Sequence, residues 1–249
     1  MADRIMNLVL SECTDENRWE AEHFIKHSFA SAYSANLGVI MPRLMTLRNR
    51  RNDLLAAFGM RSAAEGKLFL ETYLDEPIEQ IISERTNRRT RRNQVVEIGN
   101  LAVATKGFVR SAILAATDFL NEQGCDWVAF TGTRKLLNSF RSLGLNPIRI
   151  CKAIPERLDF DSRSQWGTYF DNEPGVAIGC VQDGYAAIHS KLASITDFNT
   201  SIAGNRCFKT SKRSSYRKGE QNADEDYEDC AHCDFVRSCL EGRSGRTGQ

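Results

Sequence analysis

Apolar and polar positions along this chain follow two rhythms, and their order predicts a mixed α/β domain. Between Trp19 and Tyr33, the residues Phe24, Ile25, Phe29, Ala32 and Tyr33 recur near the period of about 3.6 residues that marks an amphipathic helix. After Pro42, MTLRNRRNDLLAAFGMR reads as two short strands meeting at a turn, because the polar cluster from Arg48 to Asn52 splits two apolar runs. The segment KLFLETYL is strand-like. Asp75, ahead of Glu76, Pro77 and Ile78, then predicts a helix start with a capping carboxylate and a first-turn proline. Ile78, Ile81 and Ile82 supply the buried stripe of that helix.

A strand–helix–strand–helix–strand unit follows from about Val95 to Ile150. In QVVEIGNLAV, strict alternation puts Val95, Glu97, Leu101 and Val103 on one strand face and Val96, Ile98, Asn100 and Ala102 on the other. Both faces are mostly apolar, so the strand is expected to be buried, and Gly99 in its middle points to a bulge or a close backbone approach. Phe108, Ala112, Ala115 and Phe119 share a helix face that ends at Gly124. CDWVAFTG is a second strand, RKLLNSFRSLG a helix carrying Leu136, Phe140 and Leu143, and NPIRICKAI a third strand. Strands separated by helices pair in parallel through right-handed crossovers. With the antiparallel hairpin upstream, the sheet is predicted to be mixed. A further strand is expected around Val176 to Val181, then a short helix. From about residue 200 the chain turns polar and charged, which divides it into a domain over 1–200 and a flexible or metal-binding tail over 201–249.

Composition narrows the function classes. At 249 residues and 41% apolar, the chain can bury one sizeable core. Its 33 basic and 32 acidic side chains nearly cancel, so no global field points to nucleic acid or an anionic membrane. No run approaches the roughly 18 apolar residues of a spanning helix. The first twenty residues are not built like a secretion signal, so the cytoplasm is the expected location. The eight cysteines are then expected to be reduced. Five arginines between Arg85 and Arg92 read either as a solvated loop or as a contact for phosphate or an acidic partner.

The loop after the central strand offers chemistry. Free amides at a helix N-terminus suit a pyrophosphate or phosphopantetheine phosphate. There Gly107 would let the backbone approach a ligand, and Lys106 and Arg110 would add charge. Taken alone, a glycine in such a loop also reads as a plain turn.

The run EIGNLAV, the G-x-x-R that follows it and WVAFTGTRKLLNSFRSLGL together resemble the central motif of the GNAT superfamily of acyltransferases. More closely, FGMR, LFLETYLDEPIEQ, VVEIGNLA, FTGT and WGTYF resemble, in order, the thermostable hemolysin family over roughly residues 28 to 185. That family's name records a lytic phenotype, whereas the wider clan consists of acyltransferases. The resemblance implies an α/β GNAT-like fold, with a mixed twisted sheet flanked by helices. It also implies an acyl-CoA or acyl-phosphopantetheine donor, with Leu101, Ala102, Val103, Lys106, Gly107 and Arg110 around the donor. A fainter similarity links the chain to acyl-homoserine-lactone synthases, which draw on an acyl-carrier protein. Glu97 falls on their acid position, but Asn100 stands where they have arginine, so a lactone product is not implied.

Acyl transfer to an amine needs a base for the nucleophile and donors for the oxyanion. Glu97 is the candidate base, because a carboxylate on an apolar strand is costly without a task or a partner. A salt bridge to Arg61 is the alternative. Arg61, Glu71, Tyr73 and Asn100 are candidates for binding the amine acceptor, and backbone amides from Leu101 to Val103 are candidates for the oxyanion. In the tail, Cys230, Cys233 and Cys239 have the spacing of metal-binding thiolates, with Cys207 or His232 available to complete a set. Zinc, an iron–sulfur cluster and unliganded thiols all remain open there. The expected protein is an N-acyltransferase that spans no membrane, set against a cytolytic protein and a non-catalytic acyl-carrier-binding module.

Overall fold

The computed structural model describes residues 8–38 and 40–191, and those up to His189 form one compact unit. Seven strands build one mixed sheet: β1 Leu8–Glu12, β2 Arg43–Asn49, β3 Leu54–Ser62, β4 Val95–Val103, β5 Trp127–Gly132, β6 Ile148–Lys152 and β7 Gly175–Cys180. Their spatial order is β1-β2-β3-β4-β5-β7-β6. The helices are α1 Arg18–Tyr33, α2 Ile78–Thr86, α3 Val109–Glu122, α4 Arg134–Ser142 and the short α5 Phe160–Ser164. Residues 181–189 are also helical.

The expected hairpin is β2–β3, and β4 and β5 pair in parallel as the crossover requires. The third strand does not extend the parallel set. β7 inserts between β5 and β6 and runs antiparallel to both, so β6 keeps its direction but loses the expected neighbour. Residues 8–12 form an edge strand on β2 that the apolar pattern had not singled out.

The helices cover both faces. α1 packs Ala21, Ile25 and Phe29 onto Leu44, Ala57 and Ala102, and α2 packs Ile78 and Ile82 beside Val95 and Ala129. On the other face, α3 sets Ala112 against Leu47 and Ala56 and sets Ala116 and Leu120 against Met45, Phe58 and Val96, and α4 sets Leu137 against Phe130. Each large side chain buried this fully, such as Ile25, contributes about 2 kcal/mol.

Two local predictions change. KLFLETYL is not a strand, because residues Phe69–Tyr73 form a 3₁₀ turn whose amides bind carboxylates instead of a ladder partner. Asp75 does not cap α2. It pairs with Arg157, while Oε1 of Glu71 accepts the Ile78 N–H at 3.0 Å and takes over the capping role.

Candidate active site at the parting of two strands

β4 carries the bulge that Gly99 predicted. Gly59 pairs with Gly99 and Ala57 with Ala102, so β4 spends one more residue than β3 over this stretch, and Asn100 sits in the left-handed region at φ 54°. Asparagine tolerates that conformation. The extra residue reverses the alternation. Ala102 joins the α1 side with Ala57, whereas Leu101 and Val103 pack on the α3 side with Leu47, Ala56 and Ala112. The strict assignment of Leu101 and Val103 to the face of Glu97 is therefore corrected. The facing glycines have a second cause. Met41 lies over the bulge, where a Cβ on Gly59 would fall 2.2 Å from its Cβ and one on Gly99 would fall 2.6 Å from its Cε. Asn100 Oδ1 accepts the Met41 N–H at 3.2 Å, and Arg18 donates to the carbonyls of Met41 and Pro42, so this segment is tied down from two sides.

Beyond the bulge the sheet opens. The β4–β5 ladder joins Val95–Ile98 to Trp127–Phe130 and stops there. Thr131 and Gly132 continue with Val176 and Gly175 of β7, while β4 continues with β3. The β5-facing edge of Gly99 to Val103 is left without a ladder partner, a row of backbone polar groups open to a ligand. A cavity of about 950 Å³ occupies the gap and reaches both faces of the sheet, touching Phe29, Tyr33 and Tyr169 on one side and Ala112, Ile113 and Phe140 on the other.

Glu97 lines this cavity although only 2% of it is exposed. Its Oε2 accepts the Phe69 N–H at 2.8 Å and its Oε1 the Leu70 N–H at 2.9 Å. Burial pushes its carboxyl up to about 7, against the pull of those two amides and the charge of Arg61, with Glu71 adding to the rise. Each oxygen keeps a further lone pair. Arg61 pairs with Glu97 in register across β3 and β4 and also lines the cavity. Its guanidinium donates to the Lys67 carbonyl at 3.2 Å, and the described ion pairs do not include one between Arg61 and Glu97.

The other predicted residues divide. Tyr73 and Asn100 line the cavity, as do Leu101, Ala102, Val103 and Lys106. Burial, with Glu97 nearby, pushes the Tyr73 phenol well above its ordinary range, so it acts as a neutral hydroxyl. Glu71 turns away from the cavity, which corrects its assignment to acceptor binding. It holds Arg92 in a two-point pair at 2.7 and 2.8 Å and accepts the N–H groups of Leu68 and Ile78. Burial alone would raise its carboxyl, but Arg92 and the two amides hold it at about 2. Gly107 and Arg110 lie outside the wall. Gly107 sits in the 3₁₀ turn Lys106–Phe108 with room for a side chain, and Arg110 Nε donates to Ser142 Oγ at 3.1 Å, linking α3 to α4. Of the arginine run, Arg92 belongs to the Glu71 and Glu79 pairs, while Arg85, Arg88, Arg89 and Arg91 are exposed.

Several wall residues were not anticipated. Lys135 enters from the first turn of α4, and Trp166 and Tyr169 from the segment before β7, where Trp166 meets the rings of Phe29 and Phe69 and Tyr169 that of Phe29. The Thr131 Oγ1 is buried with no hydrogen-bond partner among the described residues, and Thr131 lines the cavity where the strands part. Only the alternation of CDWVAFTG carried a sign of it, as a polar residue closing an otherwise apolar strand.

Cys13, Cys125, Cys151 and Cys180 are free, and burial raises the Cys13, Cys125 and Cys151 thiols, so those three are not activated nucleophiles. The predicted metal ligands Cys207, Cys230, Cys233 and Cys239 lie outside the described residues. Among the described residues, no cluster of three or more His, Cys, Asp or Glu side chains is placed to hold a metal ion.

A family model described as Thermostable hemolysin matches residues 11–185. No curated protein resembles the chain significantly. Among solved structures, TofI in a ternary complex with an inhibitor and MTA is 12% identical. That match covers 74% of this chain and 97% of TofI, with a TM-score of 0.50. FeeM, an N-acyl amino acid synthase from uncultured soil microbes, is 14% identical over 70% of this chain and 92% of its own, with a TM-score of 0.45. The spermidine N-acetyltransferase from Vibrio cholerae, in complex with CoA and spermine, is 10% identical over 72% and 98%, also at 0.45. At these identities the likeness is one of fold, and the fold is GNAT-like, with a mixed sheet flanked by helices.

Proposed function

The chain belongs to the thermostable hemolysin family, and we propose that it is an N-acyltransferase that moves an acyl group from a phosphopantetheine thioester to an amine. The parting of β4 and β5 carries this reading. It presents an unpaired strand edge of suitable length for the amide-bearing pantetheine arm, next to one buried carboxylate. The donor is acyl-CoA or an acyl-carrier protein. Lys106 and Lys135 in the wall suit its phosphates, whereas the Phe108 and Val109 amides that open α3 already donate to the Thr105 and Lys106 carbonyls. The edge from Leu101 to Val103 offers amides for the thioester oxyanion. Glu97, with its carboxyl poised near neutral, accepts a proton from the incoming amine. The thiolate leaves as the amide forms.

Release of free thiol from acyl-CoA and acyl-carrier donors, measured against a panel of amines, tests this reading. Amine-dependent release supports it, and its absence with every donor and acceptor overturns it in favour of a binding module. Thr131→Val removes the unpartnered oxygen at constant shape. It is expected to raise the KM for the donor by roughly 2- to 10-fold, the worth of one neutral hydrogen bond, while leaving thermal stability equal or higher. An unchanged donor KM would remove Thr131 from the binding surface.

The lytic name of the family fits this chemistry through its product, since an acyl chain joined to a polar amine is an amphiphile. No described helix is long and apolar enough to cross a membrane. Purified protein is expected to leave red cells intact until donor and acceptor are supplied. Lysis by protein alone, with neither present, would break the link between catalysis and the phenotype.

A further inference from the structure

The charges in the cavity wall fall into two groups. Glu97 is the one carboxylate among the described wall residues, and Arg61, Lys106 and Lys135 are the cations. Lys106 follows β4 and Lys135 follows β5, so both stand at the ends where the strands part. Arg61 and Glu97 stand at the closed end, in register with each other, where Glu97 still pairs with Ala129 of β5.

Opposite charges on facing residues of adjacent strands ordinarily pair with each other. Here they do not. Both oxygens of Glu97 are engaged by the 69–70 amides, which hold the carboxylate toward the 3₁₀ turn, and Arg61 is anchored on the Lys67 carbonyl with no carboxylate partner among the described residues. A cation and an anion at facing positions of neighbouring strands, each with unused hydrogen-bonding capacity, form a receptor for a small molecule that carries both charges. A simple amine would engage Glu97 and leave Arg61 without an anion.

The surroundings define the rest of the ligand. Phe69 meets Tyr73 with ring centroids 6.1 Å apart and Trp166 at 5.7 Å, and Trp166 meets Tyr169 at 5.1 Å. All four rings line the cavity. Such a surface favours an apolar or aromatic substituent and offers nothing to a second charge.

We propose that the acceptor is a free α-amino acid with an apolar or aromatic side chain, its carboxylate on Arg61, its amino group on Glu97 and its side chain among Phe69, Tyr73, Trp166 and Tyr169. This rests on the acyl-transfer reading above and names its acceptor. Glu97 takes one proton from the ammonium group. The nitrogen lone pair then attacks the thioester carbon, the C–N bond forms and the C–S bond breaks. The second nitrogen proton ends on the departing thiolate, and Glu97 returns its proton to solvent. The products are an N-acyl amino acid and a free thiol.

The test compares phenylalanine, phenylalanine methyl ester and phenethylamine as acceptors for one acyl-CoA, in the wild-type chain and in Arg61→Gln and Arg61→Lys. A charge-assisted pair predicts that kcat/KM favours phenylalanine over the two acceptors lacking the carboxylate by roughly 10- to 100-fold in the wild type. That preference collapses in Arg61→Gln and is partly restored in Arg61→Lys. Because each preference is a ratio within one preparation, partial unfolding of a variant does not alter it. Equal use of all three acceptors, or a preference that survives Arg61→Gln, overturns the amino-acid assignment while leaving acyl transfer standing. No thiol release from any acyl-CoA or acyl-carrier donor with any acceptor overturns both.

Discussion

Glu97→Gln is expected to lower turnover by roughly 100- to 10,000-fold, the range lost with a general base, and to flatten the dependence of stability on pH. The folded carboxyl lies at about 7 against an ordinary 4.5 because it is buried. Between those values the folded chain holds a proton that the unfolded chain has released. The stability this proton confers is complete below 4.5 and lost as pH rises through 7, a change of about 3 kcal/mol. Turnover runs the other way, rising through about 7 as the base loses its proton. The glutamine side chain carries no such proton but turns an N–H donor toward the amide of Phe69 or Leu70, costing about 1–3 kcal/mol at every pH. Urea unfolding near pH 5 and near pH 8 should therefore show a gap between wild type and variant that narrows toward the higher pH. Undiminished turnover would end the assignment of Glu97 as base. A gap independent of pH would mean that its carboxyl is not raised in the folded chain.

Glu71→Ala is expected to cost about 2–4 kcal/mol, because it leaves the Leu68 and Ile78 N–H groups without their acceptor and takes from Arg92 one of its two carboxylates, Glu79 remaining. The same carboxylate joins the 3₁₀ turn, the start of α2 and the residues that lead into β4. Its loss should loosen the turn whose amides hold Glu97, so activity falls along with stability. The wild-type carboxyl is held at about 2, below its ordinary 4.5. Its contribution is therefore present above 4.5 and lost as pH falls toward 2. Thermal unfolding of Glu71→Ala beside the wild type measures this. A loss under about 1 kcal/mol would contradict the network described here.

Much of the central unit was legible in the sequence because each of its features is local. Gly99 marked the bulge, and the periodicities from Phe108 to Gly124 and from Arg134 to Gly144 marked the two crossover helices. Glu97 stood out because an ionisable side chain on an apolar strand needs a reason, and that argument uses nothing beyond its neighbours. The same local logic failed four residues later, at Leu101. Alternation assigned Leu101 and Val103 to the face of Glu97, and a bulge inverts alternation past the point where it occurs. KLFLETYL misled for a related reason. Its composition suits a strand, but its amides are claimed by Glu71, three residues away from Leu68, and by Glu97, on another strand. Glu71 itself looked like a recognition residue until its four hydrogen bonds were visible.

The sequence by itself determined which segments become strands and helices in the centre of the domain, the site of the bulge, and the one carboxylate that had to be explained. Those properties depend on dihedral preference, side-chain period and the cost of burying charge, all of which act within a few residues. Only the tertiary structure decided that β7 enters between β5 and β6, that β4 and β5 part after Ile98 and Phe130, and that Arg61 faces Glu97 without pairing to it. It also decided that Trp166 and Tyr169 complete an aromatic wall begun by Phe29 and Phe69. Strand order, the opening of a ladder and the meeting of side chains more than a hundred positions apart are set by how whole layers pack, and no short stretch of chain contains that information.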